Sequence, residues 1–518
     1  MGRGNAEEKS VSLADDQGFI ECGHRWSSGY PTISRSKRPN SWLQQQALLH
    51  PEQPALYSKN RCLTFSELNH YVQKYAQYYL QKMDEKVQRV AILSENCEEM
   101  YLSILGLWEL GIEIQFLNTR LTKNEILDQL SHAQTDVLIA PVKQAMREIQ
   151  MIFLPKIKEV ATISTVSTID SGYMNESIAS IMYTSGTTGK PKGVPQTFAN
   201  HRASSLATKE KLSVKVGDSW LCCVPLYHIS GLSIVLRSLV LGINVYLLPN
   251  FDAEKINKII LNGKVNHISM VTKMLKDQFP LIPVGGYPKQ LCTVLLGGGP
   301  VDTAVIRACQ EKHLPIVLSY GMTETCSQVV ATDKECKSGS SGYPLANVRV
   351  KIKGTIEPYV AGEILLRGPS IISNYLNDEH AHEVWTSDGW FCTGDWGYLD
   401  EEGELFLVSR MNELIISGGE NIYPAEIEEA LLRSEKISEA VVVGKTDDTW
   451  GQRPVAYIKL LDSLEEAELR QLLQPLASYK YPDELFVVHT IPKTASGKNI
   501  KRIFLTEERV KYIDYRLY

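Results

Sequence analysis

The sequence lacks any stretch able to cross a membrane as a helix. Its most apolar window, residues 229–248, is interrupted by Arg237, Gly242 and Asn244, whereas a span needs about 20 largely apolar residues. It reads instead as a buried helix followed by a strand. The first thirty residues hold no continuous apolar core, so no secretory signal is expected. The ten cysteines include one adjacent pair, Cys222-Cys223, and no C-x-x-C. Neither a zinc site nor a thioredoxin-like motif is implied, and reduced thiols in the cytoplasm are the expected state. Positive charge is not in excess, with 54 Lys and Arg against 60 Asp and Glu and a net charge of −6. That removes the electrostatic case for a nucleic-acid partner. No internal repeat period is present.

What is there is ordinary globular composition, 43% apolar and 22% charged over 518 residues, enough for two to four domains. Residues 1–41, rich in Ser, Gly and Arg, read as a disordered extension. From Trp42 the chain alternates helices and short apolar strands, which implies an α/β fold with parallel-rich sheets covered by helices. Thr64 with Glu67, and Thr122 with Glu125, form capping boxes that open helices. Asn96, with Glu99, is expected to cap another. Beyond about residue 345, strands without intervening helices suggest a small β unit. Past Arg410 a compact α+β pattern begins, with Pro424 at the first turn of a helix. The expected division is therefore an N-terminal domain over 42–409 and a small, mobile α+β domain over 410–518.

One stretch concentrates phosphate-binding chemistry. Thr184-Ser185-Gly186-Thr187-Thr188-Gly189-Lys190-Pro191-Lys192-Gly193 follows the apolar run Ile178 to Tyr183. Small residues free the backbone N–H groups to surround a polyphosphate, and the lysines and hydroxyls add charge and hydrogen bonds. It is not a Walker A loop, because two residues separate Gly186 from Gly189 and Pro191 follows Lys190. Further on, Leu296-Gly297-Gly298-Gly299 and Ser319-Tyr320-Gly321-Met322-Thr323-Glu324-Thr325 end neighbouring predicted strands, where nucleotides bind in parallel sheets. Thr393-Gly394-Asp395 offers a carboxylate to a ribose. Arg410 follows a strand, and Ser496-Gly497-Lys498 carries a lysine on a turn.

In this order the motifs resemble the adenylate-forming superfamily of acyl-CoA synthetases, luciferases and adenylation domains, over roughly residues 42–505. The resemblance implies ATP bound by Thr184, Ser185, Gly186, Thr187, Thr188, Gly189, Lys190 and Lys192. Gly298, Gly299 and Tyr320 would border adenine, Thr323 phosphate, and Asp395 and Arg410 the ribose, with Gly321 also in the ATP site. Glu324 would hold Mg²⁺. Lys498 would bridge carboxylate and α-phosphate, and Thr184 and His228 would join Lys498 and Glu324 in catalysis. The C-terminal domain would then rotate near Arg410 to Asn412. That would bring Ser417, Gly418, Gly419, Glu420 and Asn421 to the site for attack by coenzyme A. Many relatives carry an Asp before this Arg and another three residues after it; here Ser409 and Glu413 stand there.

Pro225 to Gly231 resembles the acyl-pocket wall of the superfamily, and the run onward to Arg237 resembles o-succinylbenzoate–CoA ligases of menaquinone synthesis, as do Gln196 to His201, Gly321 to Gln328 and Leu414 to Pro424. His201, Tyr227, His228, Ser230, Gly231 and Arg237 would line the acid site. A physical reason singles out Arg237. 2-Succinylbenzoate has a second carboxylate that must enter the pocket charged, and an unpaired buried anion is costly. An arginine flanked by Leu236 and Leu239 could balance it. A synthetase for another aryl or fatty acid, a peptide-synthetase adenylation domain and a non-catalytic nucleotide-binding protein are the alternatives. The oligomeric state is left open, a homodimer being one option.

Overall fold

The computed structural model describes residues 41–517, apart from 60, 142–145, 147–148, 164–174, 186–190, 299–300, 302, 334–336, 378–383, 411–412, 414, 418–419, 423, 448–449, 475, 477 and 494–498. Residues 185, 409, 410, 416, 420, 421, 451 and 479 are described by backbone alone. The expected extension over residues 1–41 thus lies outside the described part, except for Ser41, which caps the helix Trp42–Leu49.

Local sequence signals act where they were expected. The Thr64 hydroxyl accepts from the Glu67 N–H while the Glu67 carboxylate accepts from the Thr64 N–H. These bonds satisfy two orphan donors at the start of the helix Phe65–Lys82. Leu68, Val72, Tyr75 and Tyr79, spaced along one face, are fully buried. Thr122 and Glu125 repeat the device for Lys123–His132. The apolar window splits into the helix Ile229–Leu241 and the strand Asn244–Leu247, with Gly242 at φ 69° ending the helix. No described helix is long and apolar enough to cross a membrane.

Two large sheets carry the site. One has six strands in the order Gln150–Phe153, Val137–Ala140, Arg89–Ile92, Glu113–Phe116, Ile178–Ser185, Pro191–Thr197, parallel except for the last pair. The other has nine strands. Its centre runs Ile316–Met322, Thr293–Leu296, His267–Met270, Ser219–Cys222, Asn244–Leu247, Pro54–Ser58, all parallel. Antiparallel Ser327–Ala331 and Tyr343–Pro344 extend one edge and Arg61–Thr64 the other. A four-stranded antiparallel sheet follows: Arg349–Ile352, Gly362–Arg367, Phe391–Leu399, Leu405–Arg410. The last sheet, built from residues 415–516, encloses its own core. Ile427 and Leu431 of the helix Pro424–Leu432 and Leu469 of Glu466–Leu473 pack there on Val442, Ala456 and Leu485. The architecture is the expected one: α/β with parallel-rich sheets, a small β unit and an α+β C-terminal part.

One buried acid was not anticipated. Glu109, the last residue of the helix Glu98–Glu109, is 2% exposed and accepts from the Gln44 side chain at 2.9 Å. Burial pushes its pKa up from 4.5 to about 7, against smaller opposing effects of Ser41, Gln44 and Gln73. The folded protein therefore holds a proton here more tightly than the unfolded chain. This stabilisation is complete below pH 4.5 and disappears as pH rises through about 7. Glu109→Gln should flatten that dependence. Urea titrations should find the variant more stable than the parent at pH 8.5 by about 2 kcal/mol, with no gain at pH 4.

Candidate active site

The glycine-rich stretch joins two adjacent antiparallel strands, Ile178–Ser185 and Pro191–Thr197. The second strand reads as loop in the sequence because it opens Pro-Lys-Gly. It is an edge strand, and proline is tolerated at the first position of such a strand. Register sets Thr184 opposite Lys192 and Tyr183 opposite Gly193. Ser185 is described by backbone alone, and Gly186, Thr187, Thr188, Gly189 and Lys190 lie outside the described residues.

The nine-stranded sheet delivers Glu324 to this hairpin. The strand predicted over Ile316 to Ser319 runs on to Met322, because Tyr320 and Gly321 pair with Val330 and Gln328 across an antiparallel turn. A Cβ at Gly321 would lie 2.1 Å from the Ser327 carbonyl oxygen, so only glycine fits. Thr323 and Glu324 form a short 3₁₀ turn. The Glu324 carboxylate is 8% exposed and accepts from the Thr184 hydroxyl at 3.4 Å and the Tyr375 hydroxyl at 2.9 Å. The Gln196 amide donates to the Thr323 carbonyl at 2.6 Å.

The ribose candidates also meet. Asp395 lies inside the strand Phe391–Leu399, is 8% exposed and accepts from the Tyr320 hydroxyl at 2.9 Å. The Thr393 hydroxyl accepts from the Asp395 N–H and donates to Ile364. Arg410, at the end of Leu405–Arg410 and described by backbone alone, is the register partner of Asp395. Gly298, at φ 88°, follows the strand Thr293–Leu296 close to Val271, while the Ser319 hydroxyl donates to the Leu296 carbonyl beside Gly297. Gly299 lies outside the described residues.

The segment expected to form the acyl wall is anchored by a residue read differently in the sequence. Cys97, not Asn96, caps the helix Glu98–Glu109, through its thiol and the Met100 N–H. The Asn96 amide instead donates to the Val224 and Leu248 carbonyls at 2.9 and 3.2 Å, and accepts from Leu226 N–H at 2.8 Å. It therefore fixes the bend that presents Tyr227 and His228. A Cβ at Gly231 would lie 2.2 Å from the Pro225 carbonyl oxygen, so the same bend demands glycine there. Tyr227 is buried and its ring stands 4.9 Å from that of His228, which precedes the helix Ile229–Leu241. Ser230 is exposed on its first turn.

Arg237, on that helix, is 1% exposed. Its guanidinium lies 4.7 Å from the centre of the Trp220 ring and donates to the Ser327 hydroxyl at 3.2 Å. Its Nε has no hydrogen-bond partner, and no described carboxylate forms an ion pair with it. Burial pulls its pKa down to about 9. His201 is equally buried, and burial alone holds its pKa down to about 3, so it is neutral. A chain of polar groups fixes its tautomer. Gln196 must donate to the Thr323 carbonyl, so its oxygen accepts from Ser180 at 2.5 Å. Ser180 then accepts from His201 Nε2–H at 2.8 Å, leaving Nδ1 as the acceptor nitrogen.

Near the C-terminus, Ser417 pairs with Glu420 in a hairpin, is 4% exposed and accepts from Arg453 at 3.2 Å. Gly418, Gly419 and Lys498 lie outside the described residues, and Glu420 and Asn421 are described by backbone alone. Glu413 pairs with Lys501 at 2.8 Å, and Lys501 also meets Glu428 at 2.9 Å. Burial disfavours the Lys501 charge, but Glu428 and Glu413 more than offset this and its pKa rises. Sequence reasoning missed Asn96 as an anchor, Ser180 and Tyr375. None stands in a motif, and only their long-range partners reveal them.

Comparison with known proteins places this geometry. Residues 43–376 match the family described as AMP-binding enzyme, and residues 426–498 the AMP-binding enzyme C-terminal domain. A 2-succinylbenzoate–CoA ligase of Enterococcus faecalis is 45% identical over 91% of this chain and 99% of its own. One from Listeria monocytogenes is 44% identical over 88% and 97%. Among solved structures, an o-succinylbenzoate CoA synthetase of Bacillus subtilis with the acyl-adenylate OSB-AMP superposes with a TM-score of 0.85. It is 37% identical and covers 90% of this chain and 98% of its own. The same synthetase with ATP and a magnesium ion gives 0.82 at 37% identity, covering 90% of this chain and 99% of its own. The chain belongs to the AMP-binding enzyme family.

Proposed function

We propose that this chain is an acid–thiol ligase of menaquinone biosynthesis. It adenylates 2-succinylbenzoate with ATP, releasing pyrophosphate, and passes the acyl group to coenzyme A, releasing AMP. A carboxylate is a poor acyl donor because oxide is a poor leaving group; the adenylate supplies AMP in its place. The observation that carries the choice of acid is Arg237, a buried guanidinium with a bare Nε on the helix behind the acyl wall. A cation so placed is stabilised by an anion entering the pocket, and the aromatic carboxylate of 2-succinylbenzoate is such an anion. A fatty acid has none to offer. The neutral His201 offers a lone pair, which suits a bound water or hydroxyl rather than a second salt bridge.

Thr184 and Lys192, paired across the hairpin, hold the ATP phosphates together with the linking residues. Tyr320 and Gly298 flank the adenine, and Asp395 with Arg410 takes the ribose hydroxyls. Glu324, a hard oxygen donor held by two hydroxyls, fits Mg²⁺. The ion when bound offsets phosphate charge, while Thr184 and Glu324 keep the phosphates and the donor oxygen in a fixed relation. Lys498 screens the approach of the carboxylate to the α-phosphate. The part from about residue 410 onward then turns about Arg410–Asn412, and the Ser417–Asn421 hairpin replaces Lys498 for thioester formation. The eight described cysteines are all free thiols, which fits a reducing cytoplasm.

The reaction should convert 2-succinylbenzoate, ATP and coenzyme A to pyrophosphate, AMP and a thioester. Orthophosphate release, absence of turnover, or faster turnover of fatty acids would overturn this reading. Arg237→Ala should raise KM for 2-succinylbenzoate by about ten- to a hundredfold and leave ATP affinity unchanged. Asn96→Ala should destabilise the protein by about 2 kcal/mol, since it strands one N–H and one carbonyl of the acyl bend. It should raise KM for the acid and not for ATP.

A further inference from the structure

Tyr375 belongs to none of the motifs, yet it touches both charged ends of the phosphate site. Its hydroxyl donates to Glu324 Oε1 at 2.9 Å, and the Lys192 ammonium lies 4.9 Å from the centre of its ring. The ring is 7% exposed, packed on Val194 and Ile372 and edge-on to Trp385 at 5.9 Å. The backbone around it is tied to the same two places. Ile372 N–H donates to the Glu324 carbonyl at 3.0 Å and Leu376 N–H to the Gly193 carbonyl at 2.8 Å. The Asn200 amide binds the Pro369 and Ile371 carbonyls at 2.9 and 3.1 Å, and the Asn377 amide the His132 carbonyl at 2.7 Å. Residues 369–377 therefore form a strap across the hairpin and the Glu324 turn, with the Tyr375 ring at its centre.

We propose that Tyr375 is a positioning residue that sets the separation of Lys192 and Glu324 for binding of the ATP–magnesium complex. It does so by meeting each charge with a neutral group. The electron-rich face of the ring attracts the ammonium, and the hydroxyl hydrogen-bonds the carboxylate. Contact with a neutral partner fixes each group without cancelling its charge. This rests on the reading of Thr184, Lys192 and Glu324 as the ATP–magnesium site given above, but not on which acid is activated.

Equilibrium binding of ATP, by calorimetry across a magnesium titration and again with chelator present, separates the two contacts. Tyr375→Phe keeps the ring and removes the hydroxyl. It should raise the magnesium concentration for half-maximal ATP binding about tenfold and leave chelator-condition ATP affinity unchanged. Tyr375→Leu removes both contacts and should also weaken chelator-condition binding about fivefold. A purely structural role would lower the melting temperature and move both affinities together in both variants; that result, or an unchanged magnesium dependence in Tyr375→Phe, overturns the proposal. A parent protein that binds ATP without regard to magnesium overturns it too. A parent that binds the complex yet ignores 2-succinylbenzoate refutes only the choice of acid.

Discussion

The hydrogen bonds that converge on one oxygen of Glu324 come from parts of the chain 140 and 51 residues away. Thr184 belongs to the six-stranded sheet, Glu324 to the turn leaving the nine-stranded one, and Tyr375 to the strap between two strands of the four-stranded one, Gly362–Arg367 and Phe391–Leu399. A buried carboxylate needs such donors, because removal from water must be compensated locally. The hairpin, the glycine at 321 that lets the turn close, and the strap all act to keep them in place. The candidate site therefore exists only when three separately built sheets are correctly joined.

Two polar residues of the proposed acid site take opposite solutions to burial. His201 gives up its charge, and its ring is fixed by a chain ending on a main-chain carbonyl. Arg237 sits against an indole face and a hydroxyl with part of its guanidinium bare. The first arrangement is complete without a ligand. The second is not, and an incomplete buried cation is a reason for an anion to bind. The loop that delivers Ser327 to Arg237 runs through left-handed backbone at Cys326 and Ser327, φ 54° and 106°, conformations that non-glycine residues adopt only under constraint.

Much of this was legible in the sequence, where cause and effect are close along the chain. Capping boxes at Thr64 and Thr122, the buried stripe from Leu68 to Tyr79 and the alternation of helices and strands all follow local rules. Residues of the compact motifs are brought together by the fold, Glu324 with Thr184 and Tyr320 with Asp395. Two readings failed, and one residue was passed over, for one physical reason. Asn96 resembles a cap, but its amide is taken by carbonyls 128 and 152 residues away. Pro191-Lys192-Gly193 resembles loop, but an edge position removes the objection to proline. Tyr375 resembles any core tyrosine, and its value comes from two partners brought to it by folding.

The chain from the Thr323 carbonyl through Gln196 and Ser180 to His201 has a direction. A carbonyl can only accept, and that sign is copied from group to group until it reaches the imidazole. The three side chains thus behave as one inherited unit. Replacing Gln196 with a residue that cannot donate, or Ser180 with one that cannot both donate and accept, would change which face His201 shows. Substitutions at these positions should be tolerated in combination far more readily than singly, so that drift at one is confined by the state of the other two.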